Sequence, residues 1–217
     1  MPPTSPIQAG RQFAPATARN RDAILGVLQD YLTHKDGGHI LEIASGTGEH
    51  AAYFAPHFPQ YTWQPSDINT TALQSINAWR TDINCSTLSP AMTLDVSQPH
   101  WYHSLLDRKK QTPFSLKAIV CINMVHISPW AATEGLLNGA GQLLSPGGLL
   151  YLYGPYYQQG VETAPSNIAF DHQLQQQNPM WGLRHLTDVI ETAKRAGLTH
   201  LDTRKMPANN LSVIFRC

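Results

Sequence analysis

The amino-acid sequence predicts a doubly wound α/β fold with a mostly parallel sheet of about seven strands and helices on both faces. Short apolar runs alternate along the chain with segments of helical periodicity, which is the order that crossover helices in a parallel sheet require. Continuous apolar runs such as "AIVCI" indicate strands that are covered on both faces. Near the C-terminus two strand-like segments are joined only by "PANN", so we expect that pair to be antiparallel.

The first predicted element is a helix within an N-terminal segment that spans residues 12–35. Its apolar positions, among them Ile24, Leu25 and Leu28, recur at helical spacing. Thr17 is the predicted N-cap residue. The glycines of "KDGGH" are expected to end the helix before the first strand.

The following elements alternate as far as residue 156. The predicted strands are "HILEIA", "YTWQPS", "AMTLDV", "LKAIVCINM" and "GLLYLYGPY", of which "AMTLDV" is the weakest. The predicted helices span about residues 47–54, 70–82, part of 99–110, and 129–144, where "SPGG" ends the last of them. The helix "LTDVIETAKRAG" and the strands "LTHLDTRKM" and "NNLSVIFRC" then complete a single predicted domain of residues 1–217.

The alternation lapses in residues 155–184, which we call the lid-like insertion. This segment is polar and rich in Gln, Asn and Pro, with a short helix predicted from about Ser166 to Gln177. A connection of this length in a compact domain is usually functional or disordered. Its large apolar side chains, Phe170, Met180 and Trp181, favour an ordered cap over a linker.

The composition argues against several classes of protein. The chain carries 15 basic and 15 acidic side chains, so its net charge indicates no broad basic face for a nucleic-acid backbone. Its 3 scattered cysteines indicate neither a disulfide framework nor a zinc site, and a reducing cytoplasm fits them best. No segment has the apolar length of a signal peptide or a membrane span. We therefore expect a cytoplasmic protein without nucleic-acid or membrane partners, and its oligomeric state is left open.

The turn after the first predicted strand, "EIASGTGEH", contains two glycines one residue apart. As Gly46-x-Gly48-x-x-Ala51 the turn satisfies the loose dinucleotide fingerprint, which makes a nicotinamide cofactor one interpretation. Glu42 favours another interpretation, because a carboxylate is unfavourable beside a pyrophosphate but suits a ligand with a cationic or ammonium group. S-adenosyl-L-methionine has a sulfonium and an amino group as well as a ribose and an adenine.

The motifs "WQPSDIN", "TLDVS", "CINMVHI" and "LLSPGGLLYLYGP" follow this turn in order and at suitable spacing. Together with "LEIASGTGEH" they resemble the class I S-adenosylmethionine-dependent methyltransferases, which have a Rossmann-like fold. The segments "RQFAPATARNRDAILGVL", "LYGPY", "SNIAFDHQL" and "NPMWGLRHL" resemble the methyltransferase-like protein 26 family, first catalogued as a domain of unknown function. The second resemblance covers nearly the whole chain. It implies S-adenosyl-L-methionine as cofactor and S-adenosyl-L-homocysteine as product, and it says little about the acceptor.

The resemblance implies a cofactor site made of several short segments. Glu42 would order the glycine loop or meet the amino acid end of the cofactor, Asp67 would accept from ribose hydroxyls, and Asp95 would accept from the adenine amino group. The implied cofactor-binding residues are Arg19, Glu42, Ala44, Ser45, Gly46, Thr47, Gly48, Asp67, Ile68, Asp95, Val96, Asn123 and Met124. Plainer interpretations stay open, in which Asp95 is a helix N-cap and Arg19 is a solvated surface residue.

The chemistry of methyl transfer requires little of the protein beyond aligning the acceptor and excluding water, so a general base is optional. If the acceptor must lose a proton, the candidate catalytic residues are His126, Tyr153 and Asp171, although a merely packed His126 is an open alternative. Aromatic walls with a few polar groups are typical of small-molecule pockets. The predicted substrate-binding residues are Tyr153, Tyr156, Asn167, Phe170, Asp171, Trp181 and Arg184.

The sequence predicts no metal site, since its ten histidines lack the spacing of zinc ligands, and the near pair His100 and His103 fits the surface better. We therefore expect an S-adenosylmethionine-dependent methyltransferase with a small-molecule acceptor. Two alternatives stay open. One is a binding module that has kept the cofactor fold but transfers nothing, and the other is a nicotinamide-dependent oxidoreductase.

Overall fold

A computed structural model of the protein describes residues 10–32, 37–112 and 114–217. The helices are α1 (Pro15–Tyr31), α2 (Glu49–Phe54), α3 (Thr70–Ile83), α4 (His103–Gln111), α5 (Trp130–Leu143), α6 (Pro165–Gln177) and α7 (Leu186–Arg195). The strands are β1 (Gly38–Ile43), β2 (Tyr61–Asp67), β3 (Met92–Thr93), β4 (Leu116–Ile122), β5 (Leu149–Gly154), β6 (Tyr156–Tyr157), β7 (Arg184–His185), β8 (Thr199–Met206) and β9 (Asn210–Arg216).

Seven of these strands form one sheet in the order β3-β2-β1-β4-β5-β9-β8. β1 pairs with β2 in parallel, and so does β2 with β3. β9 runs antiparallel to both of its neighbours, β5 and β8. The predicted sheet of about seven mostly parallel strands, with an antiparallel strand at the C-terminus, is therefore confirmed.

A small second sheet differs from the prediction. "GLLYLYGPY" was expected to be one strand, but β5 ends at Gly154, and Tyr156 and Tyr157 pair in parallel with Arg184 and His185 instead. Both strands of this sheet have two residues, which is too short for a periodic pattern to be visible in the sequence. The pairing joins the two ends of the lid-like insertion.

The described residues group into two compact units. One comprises the chain up to Leu94 together with Ser115–Ala118, and the other comprises Asp95–Phe114 and Ile119–Cys217. The organisation of residues 1–217 as a single domain stays a prediction.

The first unit has an aromatic core built on β2. Trp63 is fully buried, and its ring lies 5.7 Å from that of Phe54 and 6.1 Å from that of Phe58. Ile40 and Ile43 of β1 are buried as well, as expected for a strand covered on both faces. This packing supports β1 and β2, and the glycine-containing turn of residues 44–48 follows β1.

The second unit is built around β5 and β9, whose central residues are all buried. Glycines on α5 let neighbouring backbone approach closely. A Cβ atom at Gly135 would lie 1.8 Å from the Val96 carbonyl oxygen, and one at Gly139 would lie 2.1 Å from the Trp101 ring. The Trp101 indole donates to the Gly135 carbonyl at 2.8 Å. The segment from Val96 to Trp101 is thereby held against α5.

Several predicted element boundaries are wrong. Thr17 is not the N-cap of α1, because the helix begins at Pro15 after Ala14, and Thr17 is buried in its first turn. α1 ends at Tyr31, ahead of the glycines that were expected to end it, and residues 33–36 lie outside the described part of the chain. α2 begins two residues later than predicted because Gly48 has a left-handed conformation with φ of 85°. The strand predicted at "AMTLDV" is reduced to Met92 and Thr93.

Candidate functional site

The glycine loop, residues 44–48, connects β1 to α2 in the first unit. Ala44, Gly46 and Gly48 all have positive φ angles, of 54°, 55° and 85°. The two glycines serve different purposes. A Cβ atom at Gly48 would lie 2.7 Å from the Cα atom of Ile76 on α3, so this glycine is required for packing. A Cβ atom at Gly46 would meet no protein atom within 4 Å, which leaves the backbone there open to a ligand.

Asp67, the last residue of β2, is hydrogen bonded to the glycine loop. One carboxylate oxygen accepts from the Gly46 N–H at 2.9 Å and the other accepts from the Asn69 N–H at 2.9 Å. The side chain is 7% exposed. Each oxygen retains acceptor capacity, because a carboxylate oxygen can take more than one hydrogen bond. Asp67 therefore positions the loop and can still accept from a ligand hydroxyl.

Glu42 is a buried carboxyl group at the carboxyl end of β1. It is 2% exposed and accepts a hydrogen bond of 2.7 Å from the Trp63 indole. Burial raises the pKa of Glu42 to about 8; the Trp63 hydrogen bond opposes this rise, and the Asp67 charge adds to it. No other residue in the described ranges is hydrogen bonded to this carboxyl group. A nearby positive charge would favour its ionised form.

The segment Arg11–Ala14 packs against the glycine loop and was not recognised in the sequence. The Gln12 N–H donates to the Ser75 hydroxyl at 2.8 Å, and that hydroxyl donates to the Thr47 carbonyl at 2.7 Å. The Ala14 N–H donates to the Glu49 carboxylate, which also accepts from the Thr47 hydroxyl at 3.2 Å. These partners are far apart in the chain, so only the structure reveals them.

The other predicted cofactor-binding residues of the first unit differ in their exposure and contacts. Arg19 is exposed on α1 and forms no polar contact with another residue in the described part of the chain. Its neighbour Asn20 is buried and shares a hydrogen bond of 2.8 Å with His50 of α2. Ile68 is 65% exposed. Ser45 is buried, and its hydroxyl accepts from the Ser66 N–H at 3.2 Å, so it ties the loop to β2.

Four predicted cofactor-binding residues belong to the second unit. Asp95 accepts from the backbone N–H of Ser97 at 2.9 Å and from its hydroxyl at 2.6 Å. Burial would raise the pKa of Asp95, but hydrogen bonds from Ser97 and Gln98 outweigh it and lower the pKa. Val96 is buried. Asn123 follows β4 with φ of 61° and donates from its N–H to Tyr153 at 2.8 Å, and Met124 is buried.

His126, the candidate base, is buried in the second unit. Burial and then the Arg184 charge lower the pKa of His126 to about 4, so the ring is neutral near pH 7. The ring centre lies 5.6 Å from that of Phe170. A Cβ atom at Gly154 would lie 3.0 Å from Nδ1 of this ring. The structure thus brings together one candidate catalytic residue and one predicted substrate-binding residue.

Asp171 is buried and accepts three hydrogen bonds inside the lid-like insertion. The donors are the Tyr157 hydroxyl at 2.8 Å, the Gln175 amide at 2.9 Å and the Leu183 N–H at 2.6 Å. Gly182 is needed beside it, because its φ is 143° and a Cβ atom would lie 2.7 Å from Asp171. The observed contacts of Asp171 are those of a residue that holds the insertion in shape.

Arg184 has a similar structural role at the end of the insertion. Its guanidinium donates to the carbonyls of Ser128 at 2.7 Å and Met180 at 2.8 Å. Burial lowers the pKa of Arg184, and the Asp171 charge opposes this. These bonds connect the insertion to the loop that follows β4.

The remaining predicted substrate-binding residues have varied surroundings. Tyr153 is buried in β5, and Tyr156 is buried with a hydroxyl that has no hydrogen-bond partner among the described residues. The Asn167 amide donates to the Asn209 carbonyl at 3.0 Å, and the Trp181 side chain is partly exposed.

Within residues 10–32, 37–112 and 114–217 no group of three acidic, His or Cys side chains is arranged to hold a metal ion. Over the same ranges, no helix combines the length and apolar character needed to cross a bilayer.

Comparison with solved structures identifies the class of fold. The chain superposes on a candidate O-methyltransferase from Nostoc punctiforme with a TM-score of 0.75 at 13% identity, over 97% of this chain and 59% of that one. An O-methyltransferase family protein from Burkholderia thailandensis gives 0.65 at 15% identity, over 90% and 57%. The S-adenosylmethionine-dependent methyltransferase SibL gives 0.69 at 15% identity, over 93% and 55%. The chain therefore has the Rossmann-like fold of class I methyltransferases, and it spans little more than half the length of these three proteins.

A family assignment comes from the sequence itself. The family described as "Protein of unknown function (DUF938)" matches residues 11–217. The chain belongs to this family.

Proposed function

We propose that the protein is an S-adenosyl-L-methionine-dependent methyltransferase that acts on a small-molecule acceptor. The observation that carries this proposal is the buried Glu42 carboxyl group at the base of a glycine loop whose Gly46 backbone is open. Burial keeps the proton on this carboxyl group, and a cationic partner close to it would favour the ionised form. A nicotinamide dinucleotide would bring its anionic pyrophosphate to this turn, so the same observation argues against that cofactor.

The residues of the first unit have the donor and acceptor groups that the cofactor needs. Glu42 would ionise and meet the ammonium group, while Asp67 would accept from ribose hydroxyls through its remaining lone pairs. Ala44, Ser45, Thr47 and Gly48 would surround the cofactor with backbone. In the second unit Asp95 would accept from the adenine amino group and Val96 would pack on its ring. Bound S-adenosyl-L-methionine supplies an activated methyl group, and S-adenosyl-L-homocysteine is the proposed product.

The protein's own contribution to the transfer is proposed to be alignment and exclusion of water. Asn123 and Met124 would border the methyl-donor centre. His126 is proposed to accept the proton, although its pKa of about 4 makes the ring a weak base, and Tyr153 and Asp171 are the other proposed proton acceptors. Asp171 already accepts three hydrogen bonds, so His126 is preferred to Asp171. Arg19 is proposed to reach the cofactor carboxylate only when ligand is bound.

The nature of the acceptor is supported by structural neighbours. These include PigF with SAH, an O-methyltransferase family 2 protein from Planctomyces limnophilus in complex with apigenin, and the mitomycin 7-O-methyltransferase MmcR. We propose a small-molecule acceptor for this chain too, held by the lid-like insertion of residues 155–184. The proposed binding residues there are Tyr153, Tyr156, Asn167, Phe170, Asp171, Trp181 and Arg184.

The sequence resemblance to the methyltransferase-like protein 26 family supports a closer relation to that family, which we include in the proposal. A cytoplasmic location and one domain over residues 1–217 belong to it as well. The balanced charge of the chain supports a metabolite over nucleic acid as the partner.

Two experiments test the proposal in sequence. Thermal unfolding would be followed with S-adenosyl-L-homocysteine and, separately, with NADH and NADPH. We expect protection by the first alone, since a ligand stabilises the state that binds it. A cell extract with isotopically methyl-labelled cofactor is then expected to yield a labelled small molecule. Protection by a nicotinamide cofactor alone would refute the cofactor assignment, whereas cofactor binding with no labelled product would indicate a non-catalytic module.

A further inference from the structure

We propose that a polar cleft in the second unit, bounded by the start of the lid-like insertion and the β8–β9 hairpin, is a binding site for a small zwitterion with an amine and a carboxylate, such as a free amino acid. The cleft has a volume of about 210 Å³. Drug-sized ligands occupy pockets of roughly 300 to 1,000 Å³, so a cleft of this size suits a smaller molecule. Tyr156 and Asn167, which are proposed above to bind the acceptor, also line the cleft, so the inference rests on the proposed function and names a chemical class for the bound molecule.

The cleft lies beside the carboxyl ends of two strands of the sheet. β5 and β8 both run antiparallel to β9, so they are parallel to each other. The cleft is lined by residues that follow or end these two strands, including Tyr156 after β5 and Met206 at the end of β8. In open sheets of this kind the carboxyl ends of parallel strands are the usual location of ligand sites.

Two solvent-exposed side chains of opposite charge line the cleft. Lys205 of β8 and Glu162 of the lid-like insertion both line it. Neither side chain forms an ion pair or hydrogen bond with any residue in the described part of the chain. A molecule with a carboxylate and an ammonium group can satisfy both charges at once, with the carboxylate at Lys205 and the ammonium at Glu162.

The walls of the cleft are fixed before any ligand binds. The Asn167 amide donates to the Asn209 carbonyl at 3.0 Å, which ties α6 to the hairpin turn. Ala208 and Asn209 both have left-handed backbone conformations, with φ of 56° and 57°. Consecutive non-glycine residues in this region store strain that is often found at ligand sites. The fixed walls reduce the ordering cost of binding.

The start of α6 also favours an anionic group in the cleft. Ala164, which lines the cleft, is the N-cap residue of α6, and no side chain caps this helix. Pro165 has no N–H, and the N–H groups of Asn167 and Ile168 donate to the Ala164 carbonyl, so in this turn the Ser166 N–H is the one group without a partner among the described residues that can favour negative charge nearby. This adds to the attraction of Lys205 for the carboxylate of the ligand.

Nuclear magnetic resonance titration tests the proposal directly. The probes are the common protein amino acids, added singly to the full-length, isotope-labelled protein in the absence of S-adenosyl-L-methionine. The most tightly bound amino acid is then compared with its Nα-acetyl derivative, which lacks the ammonium, and with its carboxamide, which lacks the carboxylate. We expect the amide signals of Asn167 and Asn209 to shift, and each derivative to bind about tenfold more weakly.

Matched variants assign the effect to the two charges. Lys205→Gln and Glu162→Gln are each expected to weaken binding about tenfold. The controls are Lys194→Gln and Glu191→Gln, which change exposed charges on α7 outside the cleft and are expected to bind as the wild type does. The proposal is overturned if no amino acid shifts the cleft signals, if the derivatives bind as well as the zwitterion, or if the control variants weaken binding equally. A failure of methyl transfer leaves these measurements unaffected, because they use no cofactor.

Discussion

Replacing Glu42 by Gln is expected to stabilise the protein by an amount that increases with pH. Burial raises the pKa of Glu42 from an ordinary value of 4.5 to about 8. Between these two pH values the native protein keeps the proton, whereas the unfolded chain has lost it. Native stability must therefore fall as pH rises through this window. Gln has no proton to lose, and its amide oxygen can still accept from the Trp63 indole.

The size of the effect follows from the width of the window. One pKa unit corresponds to about 1.4 kcal/mol, so the variant is expected to gain about 1.4 kcal/mol over the wild type for each pH unit. Over the whole window, from 4.5 to about 8, this amounts to roughly 3 to 5 kcal/mol. His50 and His126 also alter stability with pH, since burial lowers the pKa of each to about 4. Their contributions are common to both proteins and cancel in the difference.

Urea unfolding of both proteins at about pH 5, 6, 7 and 8 measures this difference. The control is Glu191→Gln, which removes an exposed carboxylate of α7 and is expected to change stability by the same small amount at every pH. The reasoning is refuted if the free-energy difference between wild type and Glu42→Gln is constant over this range. Such a result would mean that the buried carboxyl group is already ionised in the native protein.

Three further predictions concern the loop and the two buried titratable groups. Gly48→Ala is expected to lower stability by several kcal/mol because the new Cβ atom would clash with Ile76, whereas Gly46→Ala should cost only about 1 kcal/mol and chiefly weaken cofactor binding. Urea unfolding measures the loss of stability, and titration calorimetry measures the loss of binding. Equal losses of stability in the two variants would contradict the assignment. The ring of His126 is expected to stay neutral from about pH 5.5 to 8, so the nuclear magnetic resonance signals of its carbon-bound protons should not move over this range. Because the pKa of His126 is lowered, its contribution to native stability is lost only as pH falls from 6.5 towards 4. Cofactor binding near pH 7 is expected to release a proton from Glu42. In titration calorimetry the binding heat should then depend on the ionisation heat of the buffer. A binding heat that is the same in all buffers would argue against an ammonium contact.

The fold was largely predictable from the sequence because its periodic patterns are local. Strands such as β4, with five consecutive buried residues, read as continuous apolar runs, and the helices between them follow the expected spacing. The paired strands β6 and β7 were missed because two residues carry no period. The Thr17 cap was wrong for another reason: with Pro15 at the first helical position, α1 begins three residues earlier than a Thr17 cap requires, and Thr17 is buried.

Contacts around the candidate site were less predictable because they join distant residues. Gln12 and Ser75 are separated by 63 positions, and nothing in either local sequence indicates that they meet at the glycine loop. The same holds for Asp171, which accepts from residues on both sides of α6. The sequence identified Asp171 as a candidate site residue and did not identify Gln12 or Ser75. It could not distinguish a residue that binds a ligand from one that holds a loop.

Glu42 shows how a cost to folding and a binding function can reside in one residue. An uncharged side chain of similar shape would fill the same space and accept the same Trp63 hydrogen bond, so the acid is not explained by packing. Its penalty is present only while no positive charge lies nearby. An ammonium group at this position would remove the penalty, and the free energy recovered would appear as affinity for the ligand. The proposed function rests on this carboxyl group because the proposed cofactor would bring the positive charge that the group lacks.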